Sequence, residues 1–519
     1  MRLYDFIIHL LSKFYLALFS TVFLVVLLID RGVSYFGIVL PIRNILILPL
    51  ALLVFLGTQK WLNPFLKKQS LFQKRWIWLL FSLIFLIQCI FAYSYYFYTG
   101  WDAKLVRDAA FMMVEHLKDI AKTFGIYYSY HINQLILTVL LGKIFTFFYG
   151  LGLSNYYFGA VVLNVLLVNL ASVFIVLSVR KITKSNTAIF NAFWMTLILM
   201  AFSPWITIPY SDTFIIFIPS VVFYLYLNLK TDRHNLIIWF FIIILSLIGF
   251  LIKPQSIIVL IAIFSVEIFQ FFVSFSIKKI IHVVKIILLV LISNHIVMVN
   301  YYELIYEVDF GILYGRAFTY THYLMMGLNP DTFGVYSEED TILSYQTGTI
   351  EERQTMNWSV IQTRLSDMGF LGYLDFSMHK LLINYNDGTF AWGGEGGFYV
   401  ERFEDKTVLS PLLKDFYHHD GRFYFVYSIF VQGAWLLVLL SLPFAYLKRK
   451  HEPYHVVLML SLIGSFFFVH LFEARARYLF NMVPIYIMSF AIISNDIIPA
   501  HLMEKVDLCK EKWKRLINK

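Results

Sequence analysis

The feature of this 519-residue chain that most limits its fold is a series of long apolar runs, among them residues 240–251, 257–275 and 436–445. Hydrophobic residues make up 59% of the sequence and charged residues only 14%, against roughly 25% in an ordinary globular domain. A water-soluble fold would have to bury every one of these runs, whereas a bilayer accepts apolar helices of about 20 residues directly. The sequence therefore predicts an all-α polytopic membrane protein.

The apolar runs define about twelve spans and divide the chain into six parts. The predicted spans are 10–30, 44–58, 76–97, 156–179, 187–204, 213–229, 235–252, 255–276, 281–300, 423–447, 453–472 and 477–497. The parts are N-terminal helices (1–97), an outer loop with interfacial helices (98–155), a central bundle (156–300), an extracellular domain (301–421), C-terminal helices (422–497) and a basic cytoplasmic tail (498–519).

The net charge of +9 comes largely from short clusters of Lys and Arg between the spans. Examples are Arg180-Lys181 and Lys278-Lys279. Such clusters are retained on the cytoplasmic side during insertion, which predicts cytoplasmic N- and C-termini and places 98–155 and 301–421 outside the cell. The basic balance then indicates contact with anionic membrane lipids and no nucleic-acid partner.

One further apolar segment, residues 135–150, does not fit this alternation. If it crossed the membrane, Arg180 and Lys181 would be forced to the outside, against the retention rule. It is also short for a full span. We therefore expect a helix that lies at the outer membrane interface or dips into it.

Residues 301–421 differ in composition from the rest, because acidic residues outnumber basic ones and turn residues are frequent. The stretch 386–397 contains five glycines and is typical of a loop. We expect a folded extracellular insertion of mixed α/β structure. The aromatic residues expected to form its core are Trp358, Phe370, Phe376, Trp392 and Phe398.

Two acids stand at predicted outer ends of spans. Asp102 follows Gly100-Trp101, and a carboxylate there is suited to accept a proton from an attacking hydroxyl as a general base. A solvated loop acid beside an interfacial tryptophan is the structural alternative. Asp212 lies in Pro209-Tyr210-Ser211-Asp212-Thr213, where helix N-capping is the structural alternative.

Basic residues at outer ends are unusual, because Lys and Arg normally favour the cytoplasmic side. Lys253 precedes Pro254, while Arg475 and Arg477 introduce the last span. Arginine grips phosphate in a bidentate manner, so a lipid-linked phosphate is a natural partner. Pairing with Glu473 or anchoring to headgroups is the alternative. A polar segment around His131 and Asn133 either binds phosphate or sugar or caps a helix.

Considered together, these residues resemble the GT-C superfamily of membrane glycosyltransferases, which use polyprenyl-phosphate sugars at the outer membrane face. The shared pattern is an acid after an early span, interfacial helices, a second acid one loop later and a late Arg-Tyr pair. In this chain, Asp102, residues 103–150, Asp212 and Arg477-Tyr478 occupy these places.

More narrowly, the chain is similar to uncharacterised Gram-positive integral membrane proteins classed as glycosyltransferases, some of them associated with exosortase-type systems. The segments that carry the similarity are Gly100-Trp101-Asp102, Pro209-Tyr210-Ser211-Asp212-Thr213, Ile252-Lys253-Pro254, Met325-Met326-Gly327-Leu328-Asn329, Asp387-Gly388-Thr389-Phe390-Ala391-Trp392-Gly393 and Glu473-Ala474-Arg475-Ala476-Arg477-Tyr478. The Lys-Pro-Pro element of lipid-A aminosugar transferases is replaced by Tyr130-His131-Ile132-Asn133, so the donor sugar does not carry over.

The resemblance implies an inverting sugar transfer to a cell-envelope acceptor. It implies catalytic roles for Asp102 and Asp212, donor-phosphate binding by His131, Lys253, Arg475 and Arg477, and acceptor or sugar contacts by Trp101, Tyr210, Asp387, Trp392 and Glu395. No protein metal site is predicted, since His418-His419-Asp420 is too short a cluster, although a divalent cation shared by the two acids stays open.

Two other classes of function remain at this point. A lipid-linked sugar flippase or transporter needs a polar path through the bundle, for which Asn164, Asn169, Asn294 and His295 are candidates. An envelope-assembly scaffold predicts that changes at both acids are silent.

Overall fold

In a computed structural model of the protein, the described residues are 2–29, 43–66, 73–115, 119–183, 185–230, 232–273, 276–313, 315–399, 403–445 and 452–497. Within these ranges the chain is helical and forms no β-strand. The predicted basic tail, 498–519, lies outside the described residues. The all-α prediction is therefore confirmed for the part of the chain that is described.

The described residues form twenty α-helices, which follow one another along the chain. They are α1 (Arg2–Leu28), α2 (Asn44–Leu66), α3 (Lys74–Tyr95), α4 (Trp101–Val114), α5 (Ile120–Tyr130), α6 (Leu135–Gly150), α7 (Tyr156–Ile182), α8 (Asn186–Thr196), α9 (Ser211–Phe214), α10 (Phe217–Asn228), α11 (Leu236–Ile252), α12 (Ile258–Val273), α13 (Ile277–Tyr306), α14 (Tyr320–Gly327), α15 (Glu338–Gln346), α16 (Ile350–Tyr385), α17 (Ser410–Tyr417), α18 (Tyr424–Ser441), α19 (Pro453–Leu471) and α20 (Val483–Ile497). A π-helical turn, Leu197–Ala201, extends α8, and 3₁₀ turns join several other pairs.

Among the described residues, eleven helical segments are long and apolar enough to cross a membrane. Ten of them correspond to predicted spans. The predicted spans 187–204 and 235–252 form the shorter apolar helices Asn186–Ala201 and Leu236–Ile252. The eleventh segment is Ile132–Gly150, which includes α6.

Helix α6 begins and ends at the same end of the bundle. At its start, the Gln134 amide donates a hydrogen bond to the Tyr210 hydroxyl at 2.7 Å. Just beyond its end, Asn155 donates to the hydroxyl of Tyr96, which follows α3. Both partners belong to the end of the bundle where α3 ends and α9 begins. This course is what the predicted interfacial placement requires, although the segment also meets the length criterion for a span.

Buried amides brace the segment that leads to Tyr210. Asn164 of α7 donates to the backbone carbonyls of Ile206 and Ile208 at 2.9 and 3.2 Å. One turn and a half further along α7, Asn169 donates to the Gln88 side chain at 2.8 Å. Because an unsatisfied polar group is costly in an apolar bundle, these bonds fix the irregular chain between α8 and α9.

The prediction of mixed α/β structure for 301–421 is wrong, because the described residues of this segment form helices α14–α17 and loops. The longest of these helices, α16, is kinked at Gly369, where φ is 57°. The predicted aromatic core is only partly present: Phe376, Trp392 and Phe398 are buried, while Trp358 and Phe370 are 44% and 76% exposed. The glycine-rich stretch that the sequence predicted as a loop is one: residues 386–399 form a loop that packs on the bundle.

Asp387 organises the start of the 386–399 loop. Its carboxylate accepts hydrogen bonds from the Thr389 amide at 2.8 Å and from the Ala391 amide at 2.7 Å. These bonds support a left-handed backbone at Phe390 and Ala391, where φ is 56° and 58°. The Gly388 amide donates to the Gln432 side chain of α18 at 2.7 Å, which ties the loop to the bundle.

Gly388→Ala is expected to destabilise the protein by about 1–3 kcal/mol, as overpacking generally does. An added Cβ would lie 2.8 Å from the Val431 carbonyl oxygen and 2.9 Å from the Gln432 Cα, both backbone atoms of α18. Thermal unfolding in detergent measures the effect. Gly57→Ala is the control, because a Cβ at Gly57 in α2 meets nothing within 4 Å. Equal losses of Tm in the two variants would contradict the packing argument.

Candidate functional site

A cavity of about 1450 Å³ opens at the end of the bundle where α3 ends and α9 begins. Its wall is formed by the start of α4, by the junctions that follow α5, α11 and α19, by the residues at the start of α9, and by α14, α15 and the 386–399 loop. Eight of the eleven predicted site residues line it: Trp101, Asp102, His131, Tyr210, Lys253, Glu395, Arg475 and Arg477. The structure therefore brings together residues from six separate parts of the sequence.

Asp102 lies in the first turn of α4, where the helix dipole favours a negative charge. The preceding Trp101 has φ of 49°, a left-handed conformation that is strained for a large side chain. Two hydrogen bonds hold this turn: Trp101 Nε1 donates to Thr99 Oγ1 at 2.9 Å, and the Gly100 amide donates to the Gly397 carbonyl at 3.1 Å. The left-handed turn at Trp101 thus sets the direction in which the Asp102 side chain projects from α4.

Aromatic groups surround the Asp102 carboxylate, and no cationic side chain among the described residues forms an ion pair with it. Burial, followed by the charge of Asp102, holds the pKa of the Tyr127 hydroxyl well above its usual range. Burial lowers the pKa of His131, although the Asp102 charge opposes this. A neutral His131 stacks on Tyr127 with ring centroids 4.6 Å apart. The carboxylate is thus available to accept a proton in the cavity.

Asp212 is buried behind the cavity wall and does not line it. Its Oδ1 lies 2.6 Å from Lys253 Nζ, and its Oδ2 accepts from Arg477 Nη1 at 2.7 Å. The N-cap of α9 is Tyr210, not Asp212. The structure therefore places Asp212 neither on the cavity surface nor at a helix cap, but as the carboxylate that orients two cations of the wall.

A chain of ion pairs continues from Arg477 along the wall. Its Nε donates to Glu395 Oε1 at 3.0 Å, and Glu395 Oε2 lies 3.3 Å from Arg475 Nη1. Arg475 Nε in turn donates to Glu473 at 3.3 Å, and the Tyr478 hydroxyl donates to the same carboxylate at 2.9 Å. Arg475 therefore forms the pair with Glu473 that was predicted as an alternative, and it also lines the cavity.

Aromatic rings join the Asp102 segment to this chain of charges. The Arg477 guanidinium carbon lies 4.3 Å from the Trp101 ring centroid, and the Trp101 and Tyr210 rings meet edge to face at 4.6 Å. Lys253 Nζ lies 4.1 Å from the Tyr478 ring centroid. These cation–π contacts fix the cations within reach of the first turn of α4.

Two predicted sugar contacts, Asp387 and Trp392, do not line the cavity. Asp387 bonds within its own loop, and burial raises the pKa of its carboxyl. Trp392 is fully buried, and its indole nitrogen donates to the Tyr417 carbonyl at 2.7 Å. Both residues shape the loop that carries Glu395, which does reach the cavity.

The sequence did not single out His322 and Tyr323 of α14, which also line the cavity. Burial lowers the pKa of His322 to about 4. Its ring stacks on Phe318 at 4.0 Å, and Phe318 contacts His131 at 5.2 Å. The only sequence signal nearby was the Met325-Met326-Gly327 segment of the resemblance. The residues next to His322 do not show that its side chain faces a cavity.

Lys380 of α16 clamps two parts of the cavity wall. Its ammonium group donates to the carbonyl of Gly327 and, at 2.7 Å, to that of Phe472. The side chain is fully buried, and this burial lowers its pKa to about 7, although Glu473 opposes the shift.

The depressed pKa of Lys380 predicts a pH dependence of stability. Between about pH 7 and pH 10.5 the unfolded chain binds a proton that the folded chain does not, so the free energy of unfolding rises with pH. Unfolding midpoints measured from pH 7 to 9.5 test this. Lys380→Met is expected to flatten the rise, whereas Lys122→Met, on an exposed position of α5, keeps it. An unchanged slope in Lys380→Met would contradict the assignment.

Two arrangements bear on a bound metal ion. Both carboxylate oxygens of Asp212 face Lys253 or Arg477, so this residue set does not fit a cation shared with Asp102. The donor atoms of His418, His419 and Asp420 lie within 4.8 Å of one another, but on a turn that does not line the cavity.

Fold and site define a polytopic membrane protein with a charged, aromatic cavity at one end of its helix bundle. The chain belongs to the family described as conserved hypothetical integral membrane protein, whose model matches residues 2–498. No curated protein and no solved structure matches the chain significantly.

Proposed function

We propose that this protein transfers a sugar from a polyprenyl-phosphate donor to a cell-envelope acceptor at the outer face of the membrane. The observation that carries the proposal is the Asp102 carboxylate, which has no cationic partner among the residues that the structure describes and lines the same cavity as Lys253, Arg475 and Arg477. A general base and a set of anchored cations are the two elements that the reaction requires.

In the proposed reaction, Asp102 accepts the proton of an acceptor hydroxyl as its oxygen attacks the anomeric carbon. The bond between that carbon and the phosphate oxygen breaks, and the lipid phosphate leaves with the bonding electrons. Attack from the face opposite the leaving group inverts the anomeric centre. Lys253, Arg475 and Arg477 stabilise the charge on the departing phosphate; one such donor is typically worth about 3 kcal/mol.

The position of basic residues supports an outer location for the cavity. Lys60, Arg180 and Lys278 lie at the ends of α2, α7 and α13 that point away from the cavity. Lys and Arg favour the cytoplasmic side, so the cavity end of the bundle is expected to face outward.

The transporter alternative receives less support from the structure. Asn164 and Asn169 bond to neighbouring helices, and Asn294 and His295 are exposed on α13. None of these four side chains faces a path through the bundle.

A reconstituted transfer assay tests the proposal. The purified protein in phosphatidylcholine nanodiscs is given a panel of radiolabelled polyprenyl-phosphate sugars and envelope fractions from a deletion strain. Label is expected to appear in the acceptor only with active protein, and the deletion strain is expected to lack the same glycan. Movement of donor across vesicles without consumption of its sugar would favour a flippase instead, and an unaltered glycan profile would refute the proposal.

A further inference from the structure

A carboxylate bridges two buried arginines in the wall of the cavity. Glu395 contacts Arg477 through one oxygen and Arg475 through the other, at 3.0 and 3.3 Å. All three side chains are less than a tenth exposed, and all three line the cavity. Two guanidinium groups that converge on one anion form the arrangement with which arginine recognises phosphate. Glu395 therefore occupies a position that suits a ligand's oxyanion.

The charge balance of the ion-paired cluster determines whether a phosphate can bind beside Glu395. Within the ion-paired cluster, Lys253, Arg475 and Arg477 are balanced by three acids, Asp212, Glu395 and Glu473, so the cluster carries no net charge. The rest of the cavity lining adds four acids and one lysine: Asp102, Asp331, Glu338, Glu339 and Lys104. A phosphate that entered this poorly solvated cluster would bring an uncompensated negative charge, which is costly at low dielectric. Binding becomes favourable once one of the three acids withdraws.

Glu395 is the acid placed to withdraw. Asp212 does not line the cavity, and Glu473 is also held by the Tyr478 hydroxyl. Among the described residues, the Glu395 side chain bonds only to the two arginines. Withdrawal therefore breaks contacts that the ligand itself would replace.

The backbone around Glu395 leaves room for its side chain to move. On the far side of the loop, Gly397 and Phe398 accept hydrogen bonds from Gly100 and Thr99, which pins the chain. Glu395 itself stands between two glycines, and a Cβ at Gly396 would meet nothing within 4 Å. A change of rotamer into the cavity is thus sufficient, without movement of the loop.

We propose that the Glu395 carboxylate is a displaceable occupant of an anion site between Arg475 and Arg477, and that a phosphate monoester takes its place. The identity of that ester as a polyprenyl phosphate rests on the proposed function; the displacement itself does not.

Binding measurements on the full-length protein in phosphatidylcholine nanodiscs test this inference. The probes are a short-chain polyprenyl monophosphate, the corresponding polyprenol and inorganic phosphate. Glu395→Gln keeps the size of the side chain but removes its charge, and it is expected to bind the polyprenyl monophosphate roughly tenfold more tightly, a difference of about 1.4 kcal/mol. Polyprenol affinity is expected to stay unchanged, because it lacks the anion.

Removal of a buried charge also lowers the stability of the folded protein. A control variant is therefore needed that removes a buried acid away from the cavity. Asp340→Asn removes a buried acid that pairs with Arg364 at 2.6 Å and does not line the cavity. It is expected to lower Tm without tightening phosphate binding. Glu395→Asp draws the carboxylate back by one carbon–carbon bond, so it is expected to tighten binding in the same direction but less.

The outcomes separate this inference from the proposed function. Unchanged or weaker phosphate binding in Glu395→Gln and Glu395→Asp would overturn the displacement even if sugar transfer were observed. Tighter binding of inorganic phosphate with no binding of the polyprenyl monophosphate would support the anion site and refute a polyprenyl phosphate as its ligand. Equal tightening in Asp340→Asn would show a general charge effect and refute the assignment.

Discussion

Asp102→Asn is expected to lower the rate of sugar transfer by about 10²–10⁴-fold, the usual contribution of a general base. Asparagine has nearly the same shape and can occupy the first turn of α4, but it does not accept the proton of the acceptor hydroxyl. Asp102 has no cationic partner among the described residues, so the change breaks no ion pair, and Tm is expected to stay close to that of the wild type. The measurement is the initial rate of label transfer at matched protein concentration.

The control for this variant is Asp119→Asn. Asp119 is an exposed acid of the same segment between α3 and α7, at the N-cap of α5, where asparagine is equally well accepted. Wild-type transfer by Asp119→Asn together with loss in Asp102→Asn assigns the effect to the cavity carboxylate. Full activity of Asp102→Asn at normal expression would rule out general-base catalysis by this residue.

Arg477→Met is expected to destabilise the protein by about 3–5 kcal/mol, the range for breaking a buried ion pair. Arg477 is 4% exposed and contacts two buried carboxylates, those of Asp212 and Glu395. Methionine fills part of the space but leaves both acids short of a partner. Thermal or denaturant unfolding in detergent measures the loss.

A second change tests whether the unpaired charge is the cause. Glu395→Gln in the Arg477→Met background is expected to recover part of the lost stability, because it removes the surplus negative charge and leaves the Lys253–Asp212 and Arg475–Glu473 pairs in place. Arg233→Met is the matched control: its pair with Glu267 is 44% and 21% exposed, and such pairs are worth about 1 kcal/mol or less. Losses of similar size at Arg233 and Arg477 would contradict a buried network.

The spans were predictable from sequence because length and hydropathy are local properties of the chain. For residues 135–150, the sidedness of Arg180 and Lys181 favours an interfacial helix; the segment is also long and apolar enough to cross a membrane, so this placement stays a prediction. The predicted mixed α/β structure of 301–421 was wrong because frequent turn residues and a change of composition do not show whether the segments between turns are strands or helices.

The candidate site was predictable in part. Charge at an unusual membrane position singled out Lys253, Arg475 and Arg477, and all three line the cavity. Which acid reaches the cavity depends on packing between distant segments, so the sequence could not tell the open Asp102 from the buried Asp212. Lys380 lies in an ordinary helical stretch, and only the structure shows what it clamps.

The ion-paired cluster has a consequence for how the protein is made. Its members enter the membrane in order, first Asp212 and Lys253, then Glu395, and last Arg475 and Arg477. Until the final hairpin of the bundle is inserted, the early half of the cluster has one cation for its two acids. Nascent chains halted before residue 473 are therefore expected to be recognised as incomplete by membrane proteases, and chains that include Arg477 are expected to escape them.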